Sequence, residues 1–157
     1  MKMKCLILSV IVVFASGCGN SVNSVKDATL KGREQTTVGN AFNACFNEPA
    51  WELKESANKT QFVEFTGKAK KHIPFDGEGV IVIAEGGLVK IQFVLKKDGT
   101  FEIGYAEVPF KINPALPKEA IGMAELALTL KGIKTDGSAT SIQAEGINNM
   151  LDGIYNN

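Results

Sequence analysis

Two runs of alternating apolar and polar residues flank the dipeptide Asp98-Gly99, and no other feature constrains the fold as much. In the run Leu88 to Lys96, every second residue from Val89 to Leu95 is apolar, and Phe101, Ile103 and Tyr105 form an apolar face after the dipeptide. A period of two is typical of a strand with one buried face, and Asp-Gly is a strong signal for a tight hairpin. The sequence therefore predicts an antiparallel sheet.

Further strands and loops are predicted on both sides of this hairpin. In the strand Gln61 to Lys70, Val63 and Phe65 lie on one face and Phe62 on the other. The β-branched run Val80 to Ile83 is typical of a strand with both faces covered. A further strand is predicted to start at Trp51 and Leu53. Turns are predicted at Ser56–Lys59 and at Gly86-Gly87, and the second of them is predicted to be a hairpin. Loops are predicted at His72–Gly79 and Pro109–Pro117.

Helical periodicity appears at both ends of this strand-rich region. Val38, Ala41, Phe42 and Cys45 form a stripe in a helix that starts at Thr36 or Thr37 and ends by Asn47. A second helix runs from Pro117 to Gly132. After a loop at Thr135–Ala139, a capping box at Thr140 predicts a closing helix from Ser141 to Tyr155. The fold class is therefore α+β, with a short N-terminal helix packed on an antiparallel β-meander and two C-terminal helices.

The first eighteen residues have the pattern of an export signal. Lys2 and Lys4 precede ten mostly apolar residues, Cys5 to Phe14, a run too short to span a hydrocarbon core of ~30 Å. Ala15-Ser16-Gly17-Cys18 follows and resembles the lipobox of bacterial lipoproteins. The resemblance implies that the Cys18 thiol receives diacylglycerol and that the lipoprotein signal peptidase (type II) cleaves between Gly17 and Cys18. An ordinary secretory signal is the alternative.

This processing predicts three segments. They are a signal peptide at 1–17, the lipidated Cys18 with a flexible tether at 18–28, and a single α+β ectodomain at 29–157. The expected location is the bacterial cell envelope, with the lipid on Cys18 as the membrane partner. The resemblance implies a bacterial source, and in hosts that sort lipoproteins by the residue after the cysteine, Gly19 favours the outer membrane, facing the periplasm. A Gram-positive surface is the alternative.

Few side chains suit catalysis or metal binding. Cys5 leaves with the signal and Cys18 carries lipid, so Cys45 cannot form an intramolecular disulfide, and its apolar stripe predicts a buried thiol. His72, the one histidine of the chain, is predicted to be an exposed loop residue. No metal site and no cofactor are predicted, because one histidine cannot build an ordinary zinc site and the spacing of the loop carboxylates matches no calcium loop. Those carboxylates are Asp76, Glu78 and Glu85.

The charge balance argues against nucleic-acid binding. The 157 residues contain 17 Lys and Arg and 17 Asp and Glu, whereas a phosphate-binding surface needs a basic excess or patch. The one basic run, Lys68, Lys70 and Lys71, is predicted to be a solvated strand edge.

Residues 29–105 carry a second resemblance. Thr37-Val38-Gly39-x-Ala41-Phe42, Val63-Glu64-Phe65-x-Gly67 and Asp98-Gly99-x-Phe101-Glu102, together with Trp51 and Ile91-Gln92-Phe93, resemble small bacterial envelope proteins, most of them uncharacterised. These motifs are structural and imply no active site. The Pro117–Gly132 helix looks like an addition to that pattern.

The expected function is a non-catalytic binding or adaptor module that contacts another envelope protein. Exposed aromatic side chains commonly anchor such interfaces, and the candidates are Phe62 on the second sheet face and Phe75 and Phe110 in predicted loops. If the C-terminal helices cover these rings, they belong to the core instead. A structural component of an envelope assembly is the alternative function, and an enzyme is a third.

Overall fold

The computed structural model describes residues 21–156, in which four helices pack on a curled antiparallel sheet. The predicted α+β class and the two C-terminal helices are confirmed. The elements are α1 (Ser21–Lys26), α2 (Val38–Cys45), β1 (Phe46–Glu55), β2 (Gln61–Ala69), β3 (Ile73–Pro74), β4 (Ile81–Ile83), β5 (Leu88–Leu95), β6 (Phe101–Ile112), α3 (Lys118–Leu130), β7 (Asp136–Ile142) and α4 (Ala144–Tyr155).

Strand β6 organises the sheet, whose order is β1-β2-β5-β6-β4-β3, with β7 also paired to β6. Along one edge of β6, Glu107 pairs with Lys90 of β5 and Lys111 pairs with Val82 of β4. Along the other edge, the same two residues of β6 pair with β7. Strands β4 and β5 therefore lie on the same edge of β6, and the small β3–β4 hairpin pairs with the part of β6 that extends beyond β5.

The β5–β6 hairpin forms at Asp98-Gly99 as predicted, but the alternation in β6 changes at a bulge. Ile103 lies opposite Phe93 and Tyr105 lies opposite Gln92, so Gly104 is an additional residue in β6. The bulge turns the Tyr105 side chain to the other face of the sheet from Phe101. The prediction that Phe101, Ile103 and Tyr105 share one apolar face is therefore wrong for Tyr105. Gly104 allows this arrangement because a Cβ there would lie 2.6 Å from Cγ2 of Val94.

Helix α2 brings an aromatic side chain into the centre of the core. Thr37 caps the helix, as predicted, by accepting a hydrogen bond from the backbone N–H of Asn40. The stripe that includes Phe42 faces the sheet and is buried. The ring of Phe42 contacts four other aromatic rings, those of Phe46, Trp51, Phe65 and Phe93.

Several predicted boundaries in the first two thirds of the chain are wrong. The strand predicted to start at Trp51 begins at Phe46. It has a bulge around Pro49, so that proline, which has no backbone N–H, interrupts no hydrogen bond of the ladder. The predicted loop His72–Gly79 contains strand β3. Gly86-Gly87 forms a turn but no hairpin, because β4 and β5 both pair with β6.

The C-terminal third contains a strand where a loop and a helix start were predicted. Strand β6 extends through the predicted loop as far as Ile112, and β7 occupies most of Thr135–Ala139. Thr140 pairs with Val108 within the sheet, so the capping box does not form, and α4 begins at Ala144 without a side-chain cap. The apolar stripe of α4 is buried as predicted: Ile147, Met150, Leu151 and Ile154.

The segment predicted to be a flexible tether is folded from Ser21 onward. Val25 of α1 is fully buried, and Ala28 and Leu30 also lie in the core. Helix α1 packs closely on α2 at Gly39, where a Cβ would lie 3.0 Å from the carbonyl oxygen of Lys26. The sequence Gly19 to Asp27 is small and polar, and this composition concealed the two apolar residues that attach α1 to the core, Val22 and Val25.

Gly153 lets α4 approach strand β3, and we expect Gly153→Ala to destabilise the protein. A Cβ at this position would lie 2.0 Å from the carbonyl oxygen of Pro74, and such a clash costs about 1–3 kcal/mol. A Cβ at Gly122 of α3 would meet nothing within 4 Å apart from the backbone of its own helix and its chain neighbours, so Gly122→Ala should stabilise by about 0.5–1 kcal/mol. Thermal melting of both variants tests this contrast, and a stabilised Gly153→Ala variant would contradict the packing of α4 on β3.

Candidate functional site: a cleft between α4 and the β3–β4 hairpin

The cleft lies between one side of α4 and the loop that joins β3 to β4. Its volume is about 340 Å³, which lies in the range of small-ligand sites. The hairpin contributes Pro74 to Gly77, and α4 with its C-cap contributes Asn149, Asp152, Gly153 and Asn156. The lining therefore combines one aromatic ring with amide and carboxylate side chains.

The cleft contains Phe75, one of the three aromatic residues predicted as interface anchors. The Phe75 ring is half-buried and rests on Phe110, at a centroid distance of 4.4 Å. Phe110 itself is 3% exposed and lies in β6 rather than in a loop, so it supports Phe75 and is no surface anchor. Phe62 lies apart from both on β2, half-buried, opposite Val94.

Both carboxylates of the cleft already interact with other groups of the protein. Asp76 accepts hydrogen bonds from the backbone N–H groups of Val80 and Ile81 at 2.8 and 2.9 Å. These bonds fix the turn that leads into β4. Asp152 forms an ion pair with Arg33, whose guanidinium also donates to the carbonyl oxygen of Asn148. Each carboxylate is thus engaged with a partner of its own.

Arg33 also joins the N-terminal segment to the end of α4. Its guanidinium lies 5.9 Å from the centre of the Tyr155 ring. Burial raises the pKa of the Tyr155 hydroxyl to about 12, although the positive charge of Arg33 acts in the opposite direction. Tyr155 packs against the core and offers its neutral ring to the Arg33 guanidinium. Nothing in the sequence near Arg33 indicated this contact with residues more than a hundred positions away.

The remaining candidates for chemistry are dispersed in the structure. The Nδ1 atom of His72 accepts a hydrogen bond from the backbone N–H of Glu85 at 3.1 Å. Within residues 21–156, no group of three or more His, Cys, Asp or Glu side chains is placed to hold a metal ion. In the basic run, Lys68 pairs with Glu48 and Lys70 donates to the carbonyl oxygen of Asn43.

Cys45 is buried on α2 as predicted, and its Sγ lies 3.2 Å from the carbonyl oxygen of Ile154. We expect its alkylation in the folded protein to be slow and to become fast in denaturant, because the buried thiol is inaccessible to the reagent. A time course with a maleimide reagent under both conditions measures this difference. Equal rates, or a dimer linked through Cys45, would contradict the assignment.

Helix α3 has an apolar surface that the core leaves uncovered. Leu128 is its one buried residue. Met123, Leu126 and Leu130 are 75%, 64% and 80% exposed. Helix α3 is therefore attached to the core mainly through Leu128, and an apolar face points to solvent. No helix within the described residues is long and apolar enough to cross a membrane.

Comparison with known proteins identifies no relative of the chain: no protein-family model matches it, and neither the curated proteins nor the solved structures contain a significant match. Gly17 and Cys18, the predicted cleavage and lipidation positions, lie outside the described residues.

Proposed function

We propose that the chain is a bacterial envelope lipoprotein, anchored through lipid on Cys18, whose ectodomain is a non-catalytic binding module. The anchor is supported by the order of Lys2 and Lys4, the apolar run Cys5 to Phe14 and the box Ala15-Ser16-Gly17-Cys18. The proposed location is the outer membrane, with the ectodomain in the periplasm. There the module holds another envelope component.

The observation that carries the binding proposal is the composition of the cleft. Phe75 offers one face of an aromatic ring, and Asn149 and Asn156 bring amide groups that can donate and accept hydrogen bonds. A ring beside a few polar groups is the usual lining of a site that orients a small ligand or a short peptide segment. The cleft therefore suits a ligand with one apolar face and several hydrogen-bonding groups.

The partners of the two cleft carboxylates favour binding over a reaction. A general acid or base needs a carboxyl group free to exchange a proton with the substrate. Asp76 is held by two backbone N–H groups, and Asp152 is paired with Arg33. Both carboxylates serve the geometry of the cleft, so we assign them positioning roles.

The test is capture of envelope components by variants that obstruct the cleft. Asn149→Arg places a long side chain on the cleft lining, whereas Glu145→Arg changes an exposed residue of the same helix outside the lining. Each variant, with its lipid, is cross-linked in native membranes and compared with the unsubstituted chain. We expect one cross-linked component to disappear with Asn149→Arg and to remain with Glu145→Arg, at equal melting temperatures.

Two results would contradict this function. Identical cross-links for both variants would show that the cleft is not the binding site. Turnover of a substrate by the purified protein would show that the module is an enzyme. Purification of the chain within a large complex that survives Asn149→Arg would favour the alternative, a structural component of an envelope assembly.

A further inference from the structure

Helix α3 carries a stripe of exposed apolar side chains, Met123, Leu126 and Leu130, which we call the α3 stripe. These are three of the five large apolar residues that are exposed among residues 21–156. At about 100° per residue, the three side chains fall within an arc of about 60°. The arc points away from Leu128, the residue by which α3 is attached to the core.

We expect an apolar stripe of this kind to be covered by another surface. Soluble monomers rarely leave contiguous large apolar side chains in water, because each one gains free energy when it is removed from water. The charged residues within α3 are Lys118, Glu119 and Glu125. Glu119 points to the same side as the α3 stripe, but it stands in the first turn beside Lys118, and from Met123 to Leu130 that side carries no charge. The helix has 13 residues, too few to span a bilayer, so it would lie along a surface.

The short connection between Cys18 and Ser21 keeps the domain within reach of one such surface, the bilayer that holds the lipid. Three backbone steps separate Cys18 from Ser21, where α1 begins, and they extend to at most about 11 Å. Helix α1 cannot lengthen this connection without cost, because Val25 is fully buried in the core. A domain of 136 residues has a radius of gyration of about 14 Å. The connection is therefore shorter than the radius of the domain, and the domain is held directly at the bilayer.

The charges beside the α3 stripe also suit a lipid surface. Lys118 lies at the start of α3, and Lys131 and Lys134 follow its end, all three exposed. Long Lys side chains at the ends of an interfacial helix extend to the headgroups while the apolar residues between them enter the acyl region. Glu125 lies about 100° around the helix from Leu126, where it can stay in water.

We infer that the α3 stripe inserts into the headgroup–acyl boundary of the bilayer that holds the lipid of Cys18. This inference rests on the proposed lipidation and adds a second contact that fixes the orientation of the ectodomain. The lipid on Cys18 holds the domain at the membrane, and α3 determines which surfaces of the domain remain available to a partner.

The test measures contact between lipid and each side of α3. The full chain with its lipid is placed in lipid nanodiscs at one copy per disc, with brominated acyl chains. A fluorescent probe is attached in turn to Leu126→Cys and to Glu125→Cys, and labelling of the unsubstituted chain corrects for Cys45. We expect bromine to quench the probe at residue 126 at least about twofold more than at residue 125, because the helix is about 10 Å wide and lipid contacts only one side.

Three other results would overturn the inference, and each has a different cause. Equal quenching at the two positions, in a chain that carries lipid, would show that α3 does not enter the bilayer. Protection of residue 126 in crowded vesicles but not in one-copy discs would show that a second copy of the chain covers the stripe. A chain without lipid that remains in the aqueous phase would overturn both the proposed anchor and the inference.

Discussion

Leu151→Asp is expected to unfold most of the protein at physiological temperature. Leu151 is fully buried on the inner face of α4, where an aspartate has no cationic partner. Burying an unpaired charge is among the few changes that cost more than about 4 kcal/mol, a large share of the stability of a domain. Thermal or denaturant unfolding followed by circular dichroism measures the loss.

Asn148→Asp is the matched control for this prediction. The same charge is then introduced on the same helix, at a half-buried position whose backbone carbonyl contacts Arg33. Because the new carboxylate lies close to a cation and to water, we expect a change within about 0.5 kcal/mol. Similar melting temperatures for the two variants would show that α4 does not pack on the core.

Phe42→Ala is expected to cost about 3–5 kcal/mol, the usual loss when a buried aromatic side chain is removed. The Phe42 ring is fully buried. It contacts the ring of Phe65 edge-on at a centroid distance of 4.8 Å, and three more aromatic rings surround it. Its removal leaves a cavity between α2 and the sheet, which adds to the loss of transfer free energy.

Leu53→Ala is the control for the aromatic cluster. Leu53 lies on β1, two residues from Trp51, and is 45% exposed. Its truncation should cost less than about 1 kcal/mol, since much of the side chain is already in water. Chemical denaturation of the two variants gives the comparison, and a Phe42→Ala protein as stable as Leu53→Ala would contradict the central position of Phe42.

The features predicted correctly are those set by neighbouring residues. The Thr37 cap, the buried β-branched strand β4 and the Asp98-Gly99 hairpin each depend on a few adjacent positions. Strand β7 was missed because its sequence, Asp136 to Ile142, is small and polar. Pairing with β6 imposes the strand, and no local pattern reports that pairing.

The two errors in β6 and β7 have the same cause. The T-x-x-Q spacing at Thr140 is a helix-start signal that the sheet overrides, since Thr140 pairs with Val108. The bulge at Gly104 reverses the alternation of β6 without any change in the apolar pattern, so the orientation of Tyr105 depends on the register with β5.

The candidate site was predicted only in part. Phe75 was predicted as a candidate anchor because it is an aromatic residue in a predicted loop. Its cleft could not be foreseen, since the other wall is formed by α4, more than seventy residues later in the chain. The polar side of α4 was visible in the sequence. Gly153, which lets this helix approach β3, has no local signature.

The central claim is that lipid on Cys18 anchors this chain, and the intact mass of the protein in separated cell fractions tests it most directly. The chain and its Cys18→Ala variant are expressed in a bacterium, and membrane and soluble fractions are analysed. We expect the unsubstituted chain in the membrane fraction, beginning at Cys18 and carrying diacylglyceryl mass. We expect Cys18→Ala to remain uncleaved or to leave the membrane. A mature-sized Cys18→Ala species in the membrane fraction would contradict the account.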